Sequence, residues 1–266
     1  MKATLTALLP MVDEKPDDKF LRIHVEKTER FEKRLQHYVN KGPSLKPIRP
    51  EYVAAVLDEL ADDDAMFFPD TGTPCIWAAR HIHYGAGRRL FGSFTWASMA
   101  SASPNAFGAK LAYPDRQSIA LCGDGGFTML AMGDLLTEVE RKTAVVHVIF
   151  DNGMLDFVNI EQQEAGFVPF GTKFQNPDFA KVAEAYGAKG IRIEEPGDVR
   201  EGLKAALSHK DGPVVVDVLV EPYALAMPSH IPAETLKGFT LSMAKQMWGG
   251  KMDDVIETIK DNVRLL

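Results

Sequence analysis

Three apolar runs constrain this chain more than any other feature: SIALCG at 118–123, VVHVIF at 145–150 and VVVDVLV at 214–220. Each is short, bounded by turn residues and apolar at nearly every position instead of every second one. Strands of that kind are buried on both faces, the condition of a parallel sheet with helices on either side. The intervening segments fit. PEYVAAVLDELA (50–61) reads as a helix with proline near its start, where a missing N–H costs little. AMFFPD (65–70) is a short strand, TPCIWAARHI (73–82) begins a helix, and Lys189–Ile193 is a further strand. Helices are predicted from about Phe127 to Lys142, at 178–187 and at 197–209. The fold class is therefore α/β, a parallel sheet with helices on both faces.

The N-terminal part differs. DEKPDDK (13–19) is a charged break, and a mixed-charge helix follows from about Lys19 to Tyr38, with Phe20, Ile23, Lys27, Phe31 and Leu35 roughly on one side. NKGPSLKPIRP (40–50) carries three prolines and a glycine and reads as a linker. The expected division is 1–48, a helical and linker segment; 49–225, the α/β domain; and 226–266, a helical tail. A net charge of −7 argues against nucleic acid as the main partner. Cys75 and Cys122 are too few for a zinc cluster or a disulfide framework. No apolar run approaches the roughly 20 residues of a membrane span, so a cytoplasmic protein is the expectation.

In open parallel sheets, ligands sit beyond the carboxyl ends of the strands. Two such ends carry unusual chemistry. SIALC delivers Gly123-Asp124-Gly125-Gly126, and VVHVIF delivers Asp151-Asn152-Gly153. One crossover helix and one strand separate them, and a right-handed connection brings both loops to one edge. The Asp124 carboxylate, the Asn152 carboxamide and a following carbonyl, that of Met154, are the hard oxygen donors that Mg²⁺ prefers. Gly125 and Gly126 allow a phosphate close to the backbone, at the start of a helix. Thr128 stands where a dinucleotide fingerprint has glycine, and no GK[ST] ending marks a P-loop. His81 and His83 point to different helix faces, His147 reads as a hydrogen-bonded core residue, and Arg88-Arg89 as a solvated turn.

GDGG…FDNG closely resembles the GDG…NN signature of thiamine diphosphate enzymes. The flanking stretches DTGTPCIWAARH (70–81), GSFTWASMASASPNAFGAK (92–110), FDNGMLDFVNIEQ (150–162) and MPSHIPAETLKGFTLSM (227–243) are similar to the pyruvate oxidase and quinone-linked pyruvate dehydrogenase branch. The resemblance implies a three-domain parent: this chain would hold the end of the central domain and the diphosphate-binding domain, in the thiamin diphosphate-binding fold. The glutamate that activates the cofactor belongs to the upstream pyrimidine-binding domain, so the chain alone is expected to be inactive. The resemblance puts Asp124, Asn152 and Met154 on Mg²⁺. It puts Gly72, Ala97, Ser98, Met99, Gly125, Gly126, Thr128, Gly153 and Leu155 on thiamine diphosphate, with Met99 wedged beneath it. Phe157 and Glu161 would approach the reacting carbonyl, with Glu161 handling protons.

The implied activity is oxidation of a 2-oxo acid such as pyruvate, with FAD bound mostly upstream, in a homo-oligomer. Acetolactate synthase-like carboligation is the alternative, and a cofactor-binding or assembly module without turnover a third reading. Three departures stand out: Asp151 replaces the first Asn, Asp156 replaces a common Gly, and TMLAMGD is one residue longer than in the nearest relatives, which would bulge the first helix. In MDDVIETIKDNVRLL, Met252, Val255, Ile256, Ile259 and Val263 share a helical side. That side is expected to pack on the domain, with peripheral membrane contact the minority reading.

Overall fold

The computed structural model describes residues 1–85, 87–225 and 232–262. Two N-terminal helices, α1 (Lys2–Leu8) and α2 (Lys19–Lys41), precede α3 (Pro50–Leu60). The sheet region then runs β1 (Met66–Pro69), α4 (Thr73–His81), β2 (Arg89–Leu90), α5 (Ala102–Ala112) and β3 (Ser118–Gly123). A short turn α6 (Asp124–Gly126), a π turn (Phe127–Ala131) and α7 (Met132–Glu140) lead to β4 (Val145–Asp151). After α8 (Asp156–Glu164) come α9 (Phe179–Tyr186), β5 (Lys189–Ile193), α10 (Val199–Leu207) and β6 (Val214–Leu219). Helices α11 (Ala233–Trp248) and α12 (Met252–Asn262) follow.

All six strands are parallel, in the order β2-β1-β3-β4-β6-β5. Alternate residues feed two cores, which explains why the strands are apolar throughout. Ile119, Leu121, Val148 and Val216 pack with Val53, Leu57, Trp77 and Leu203, under α3, α4 and α10. Ala120, Cys122, Ile149 and Val215 pack with Phe127, Leu135 and Phe179, under α5, α7 and α9. His147 breaks the second set without leaving its ring exposed: Nε2 pairs with Glu138 Oε2 at 2.7 Å, both side chains fully buried. Asp178 caps α9 by accepting from the Lys181 N–H (3.0 Å), and Gly187, at φ 89°, ends it.

The bulge expected at TMLAMGD has its counterpart in the π turn Phe127–Ala131, whose i→i+5 loop holds one residue more than an α-helical turn. Helix α5 lies in a stretch read only as motif, and strand β2 begins at Arg89, within the pair expected to be a solvated turn. Arg88 is not a solvated turn residue: its guanidinium is buried against Asp58 Oδ1 (2.6 Å) and the carbonyls of Ala61 (2.6 Å) and Asp62 (3.0 Å). The linker seals onto the sheet, because Ile48 bridges Val220 and its carbonyl accepts from Glu221 N–H (2.8 Å).

The outer helices are thinly covered. Helix α1 buries nothing, and α2 buries only Leu35 and Tyr38, leaving Phe20 and Ile23 exposed. The apolar side expected of α12 is not its packed side. Val255, Thr258 and Asn262 face inward, whereas Met252, Ile256 and Ile259 are exposed; Val263 lies outside the described residues. Asn262 sets the rotation, accepting from Leu225 N–H (2.9 Å) and donating to the Tyr223 carbonyl (2.6 Å). Among the described residues no helix is long and apolar enough to cross a membrane.

Candidate functional site

Strands β3 and β4 are adjacent, with Gly123 opposite Phe150, so the residues that follow them meet at one edge. Asp124 is only 2% exposed. Its Oδ1 accepts from Gly125 N–H (2.7 Å), and its Oδ2 from the N–H groups of Asn152 (3.1 Å) and Gly153 (2.7 Å). Asn152 closes a turn of its own, Oδ1 accepting from Met154 N–H (3.0 Å), while Gly153 takes φ +65°, which favours glycine. The two loops are thus bonded to each other through Asp124.

A third segment, for which sequence reasoning gave no role, backs both. Leu155 N–H donates to the Thr172 carbonyl (2.8 Å), Phe174 N–H to that of Gly153 (3.0 Å), and Met154 bridges Lys173 antiparallel. Asn176 then donates through Nδ2 to Asp124 Oδ2 (2.8 Å) and Asp151 Oδ1 (2.7 Å). Its one sequence signal was Asn-Pro-Asp before a helix, which reads as a turn and cap.

Three carboxyl groups line one cavity: Asp70, Asp124 and Asp156. Burial pushes the Asp124 pKa up to about 6, the bonds from Asn176 and Gly125 opposing it. Burial, then the neighbouring Asp124, pushes Asp156 up to about 7 against a hydrogen bond with Thr73. Asp70 rises to about 6, again by burial; its Oδ1 accepts from Ala102 N–H (2.9 Å), whereas Oδ2 is buried without a partner. Desolvated carboxyls of this sort favour a cation, which restores their ionised form. Among the described residues no cluster of three or more His, Cys, Asp or Glu side chains is arranged for a metal. The oxygens available to a cation are therefore a mixed set: Asp124 carboxylate, Asn152 carboxamide and backbone carbonyl, which suits Mg²⁺. The floor beside them is shaped by missing side chains. A Cβ on Gly125 would fall 2.6 Å from Leu155 Cδ2, and one on Gly126 2.4 Å from Asp70 Oδ2.

Of the residues singled out from sequence, Gly72, Met99, Asp124, Gly125, Gly126, Asn152, Met154, Leu155 and Phe157 line this cavity. Gly153 supports it from behind through its N–H. Ala97 and Ser98 are exposed outside the lining, and so is Thr128, whose hydroxyl donates to the Asp124 carbonyl (2.8 Å). Glu161 is exposed on α8 and does not reach the cavity; the carboxyl that α8 does place there is Asp156, at its first position.

Residues 70–218 match the model for thiamine pyrophosphate enzymes, C-terminal TPP binding domain. The chain belongs to the thiamine pyrophosphate enzyme family. A Bacillus subtilis (strain 168) protein named as thiamine pyrophosphate-containing, YdaP, is 37% identical over 92% of this chain and 42% of its own length. Pyruvate oxidase of Lactiplantibacillus plantarum is 31% identical over 88% and 38%, and acetolactate synthase of B. subtilis 29% over 70% and 34%. The chain therefore spans well under half of these relatives. Among solved structures, a thiamine diphosphate-dependent 4-hydroxybenzoylformate decarboxylase of Rhodococcus jostii RHA1 superposes with a TM-score of 0.60 at 26% identity, covering 65% of this chain and 33% of its own. The matched span of this thiamine pyrophosphate-binding domain contains all three cavity carboxyls and Asn176.

Proposed function

We propose that this chain is the diphosphate- and Mg²⁺-binding portion of a thiamine diphosphate-dependent 2-oxo acid oxidase or quinone-linked dehydrogenase acting on pyruvate or a close analogue. The observation that carries the reading is the mutual bonding of the Asp124 and Asn152 loops at one strand edge. When bound, thiamine diphosphate supplies the electron sink that decarboxylation of a 2-oxo acid needs. The chain's own residues do the rest. Asp124, Asn152 and the Met154 carbonyl hold Mg²⁺, Gly125 and Gly126 keep the backbone bare for the diphosphate, and Met99 and Leu155 wall the cofactor.

Phe157 lines the cavity beside Asp156, whose carboxyl, raised to about 7, exchanges a proton there near neutral pH. Glu161 is exposed, so proton handling by it requires a further segment to close over α8. The exposed Phe94 and Trp96, just before Met99, favour such a covering partner: a pyrimidine-binding domain, or a second copy in a homo-oligomer. FAD, in this reading, binds mostly outside the chain.

Oxidation is preferred to acetolactate-type carboligation because the match to a pyruvate oxidase reaches over 88% of the chain, against 70% and 81% for two acetolactate synthases. Without the covering partner the chain acts as a cofactor-binding module lacking turnover. Calorimetric titration of thiamine diphosphate, with and without Mg²⁺, tests the site. Binding is expected to require the metal and to vanish in Asp124→Ala; equal affinity in all four cases refutes it. Release of CO₂ from pyruvate by the chain alone would refute the need for a partner.

A further inference from the structure

Asn176 belongs to neither cofactor loop, yet it touches both. Its single amide nitrogen carries two protons in a fixed plane, and each is committed to a carboxylate, one to Asp124 Oδ2 and one to Asp151 Oδ1. The hydrogen bonds to Asp124 are unevenly shared. Oδ2 accepts three, from Asn152 N–H, Gly153 N–H and Asn176, whereas Oδ1 accepts one, from Gly125 N–H. Oδ2 is thereby saturated, and Oδ1 keeps lone-pair capacity. The Asn176 backbone is held in turn, because Phe174, two residues before it, bonds the Gly153 carbonyl, and Phe179, three residues after, donates its N–H to Asp217 (3.1 Å).

We propose that Asn176 is the positioning residue of the cation site: it fixes Asp124 with Oδ1 turned to the ion and, by bridging, keeps the second carboxylate, Asp151, beside the site. The ion then experiences two negative charges where one direct carboxylate ligand supplies only one. This rests on the reading of Asp124, Asn152 and Met154 as cation ligands. Two carboxylates side by side repel, and a shared amide donor is what allows the pair to stand without a metal. Groups that orient metal ligands from behind contribute about 10–100-fold to affinity.

The test is a cycle of four proteins: the full chain, N176A, D151N and the double variant. Free Mn²⁺ is followed by electron paramagnetic resonance in the presence of thiamine diphosphate and absence of substrate, and thermal unfolding is recorded without metal. N176A is expected to weaken Mn²⁺ binding about 10–100-fold. D151N, which keeps an acceptor for Asn176 while removing charge, weakens it only several-fold. In the D151N background, N176A should have a smaller effect on both readouts, because no like charge is left to bridge and only the hold on Asp124 remains to be lost. Without metal, N176A should lower the melting temperature by about 2–4 °C more in the parent than in the D151N background, the shift that about 1 kcal/mol produces in a chain of this size.

Equal effects of N176A in both backgrounds would overturn the bridging role. N176S, which keeps one hydroxyl donor, should fall between the parent and N176A, and serves should N176A fail to fold; a loss as complete as that of N176A would count against the proposal. Should the parent bind no Mn²⁺ while the melting temperatures remain coupled, the cation reading fails and the positioning role falls with it, leaving a carboxylate bridge alone.

Discussion

The two walls of the cavity are built differently. On one side, residues 123–126, 152–155 and 172–176 bond to each other, and almost every polar group near Asp124 finds its partner within the chain. On the other, the loop 93–100, which sends only Met99 into the lining, bonds mainly within itself: Ala97 N–H to the Ser93 carbonyl (2.7 Å), Ser98 N–H to the Ser93 hydroxyl (3.2 Å). That wall is exposed, Trp96 to 86%, and it holds two alanines in left-handed backbone, Ala97 at φ 51° and Ala100 at φ 61°. The first wall carries its own supports; the second is a strained loop with few of them. In physical terms, the half proposed to bind metal is preorganised by this chain, and the loop that carries Met99 is not.

The contrast can be broken or sharpened by substitution. The largest effect belongs to Asp124→Ala, which should reduce metal-dependent thiamine diphosphate binding beyond the roughly 100-fold that a supporting residue contributes, as read by calorimetry. Asp70 comes next. Its carboxyl ionises at about 6 in the fold against an ordinary 3.8, so between those values the unfolded chain has released a proton that the folded one retains. Stability should therefore fall as pH rises through that window, by about 3 kcal/mol at most, and level off above it. Asp70→Asn keeps the acceptor for Ala102 N–H and should flatten this slope in urea unfolding measured from pH 4 to 8; an unchanged slope would place the charging penalty elsewhere.

Gly126→Ala should destabilise by about 1–3 kcal/mol, because its methyl would press on Asp70 Oδ2, a group pinned on its other oxygen. On the opposite wall the sign reverses. Ala97→Gly and Ala100→Gly should each stabilise by about 0.5–1 kcal/mol, by relieving left-handed backbone. A loss of stability in both would show that the loop is not strained, and the contrast between the walls would disappear.

Periodicity and turn chemistry revealed the frame: β3 and β5 carry the bounds expected of them, and the GDGG and DNG loops meet where two adjacent parallel strands must deliver them. Local patterns could not reveal long-range pairings. Asn176 looks like any asparagine before a proline, and its meaning lies in two carboxylates from earlier strands. Arg88 looks solvated in sequence because its partners are mostly backbone carbonyls, at the end of α3 and just after it, which no composition rule detects. Strand β2 has two residues, too few for any alternation to show. Glu161 and Asp156 differ by little more than one helical turn, so which of them enters the cavity depends on how α8 is rotated. The inward side of α12 was misjudged for a related reason: Asn262 is drawn in by backbone partners, against the hydrophobic pattern.

The π turn has an evolutionary corollary. Its surplus residue is absorbed within Phe127–Ala131, where Thr128, Met129 and Leu130 project into solvent, and Leu135 and Glu138 downstream still settle into the interior. A gain or loss of one residue at this spot is thus confined to a single misshapen loop of helix.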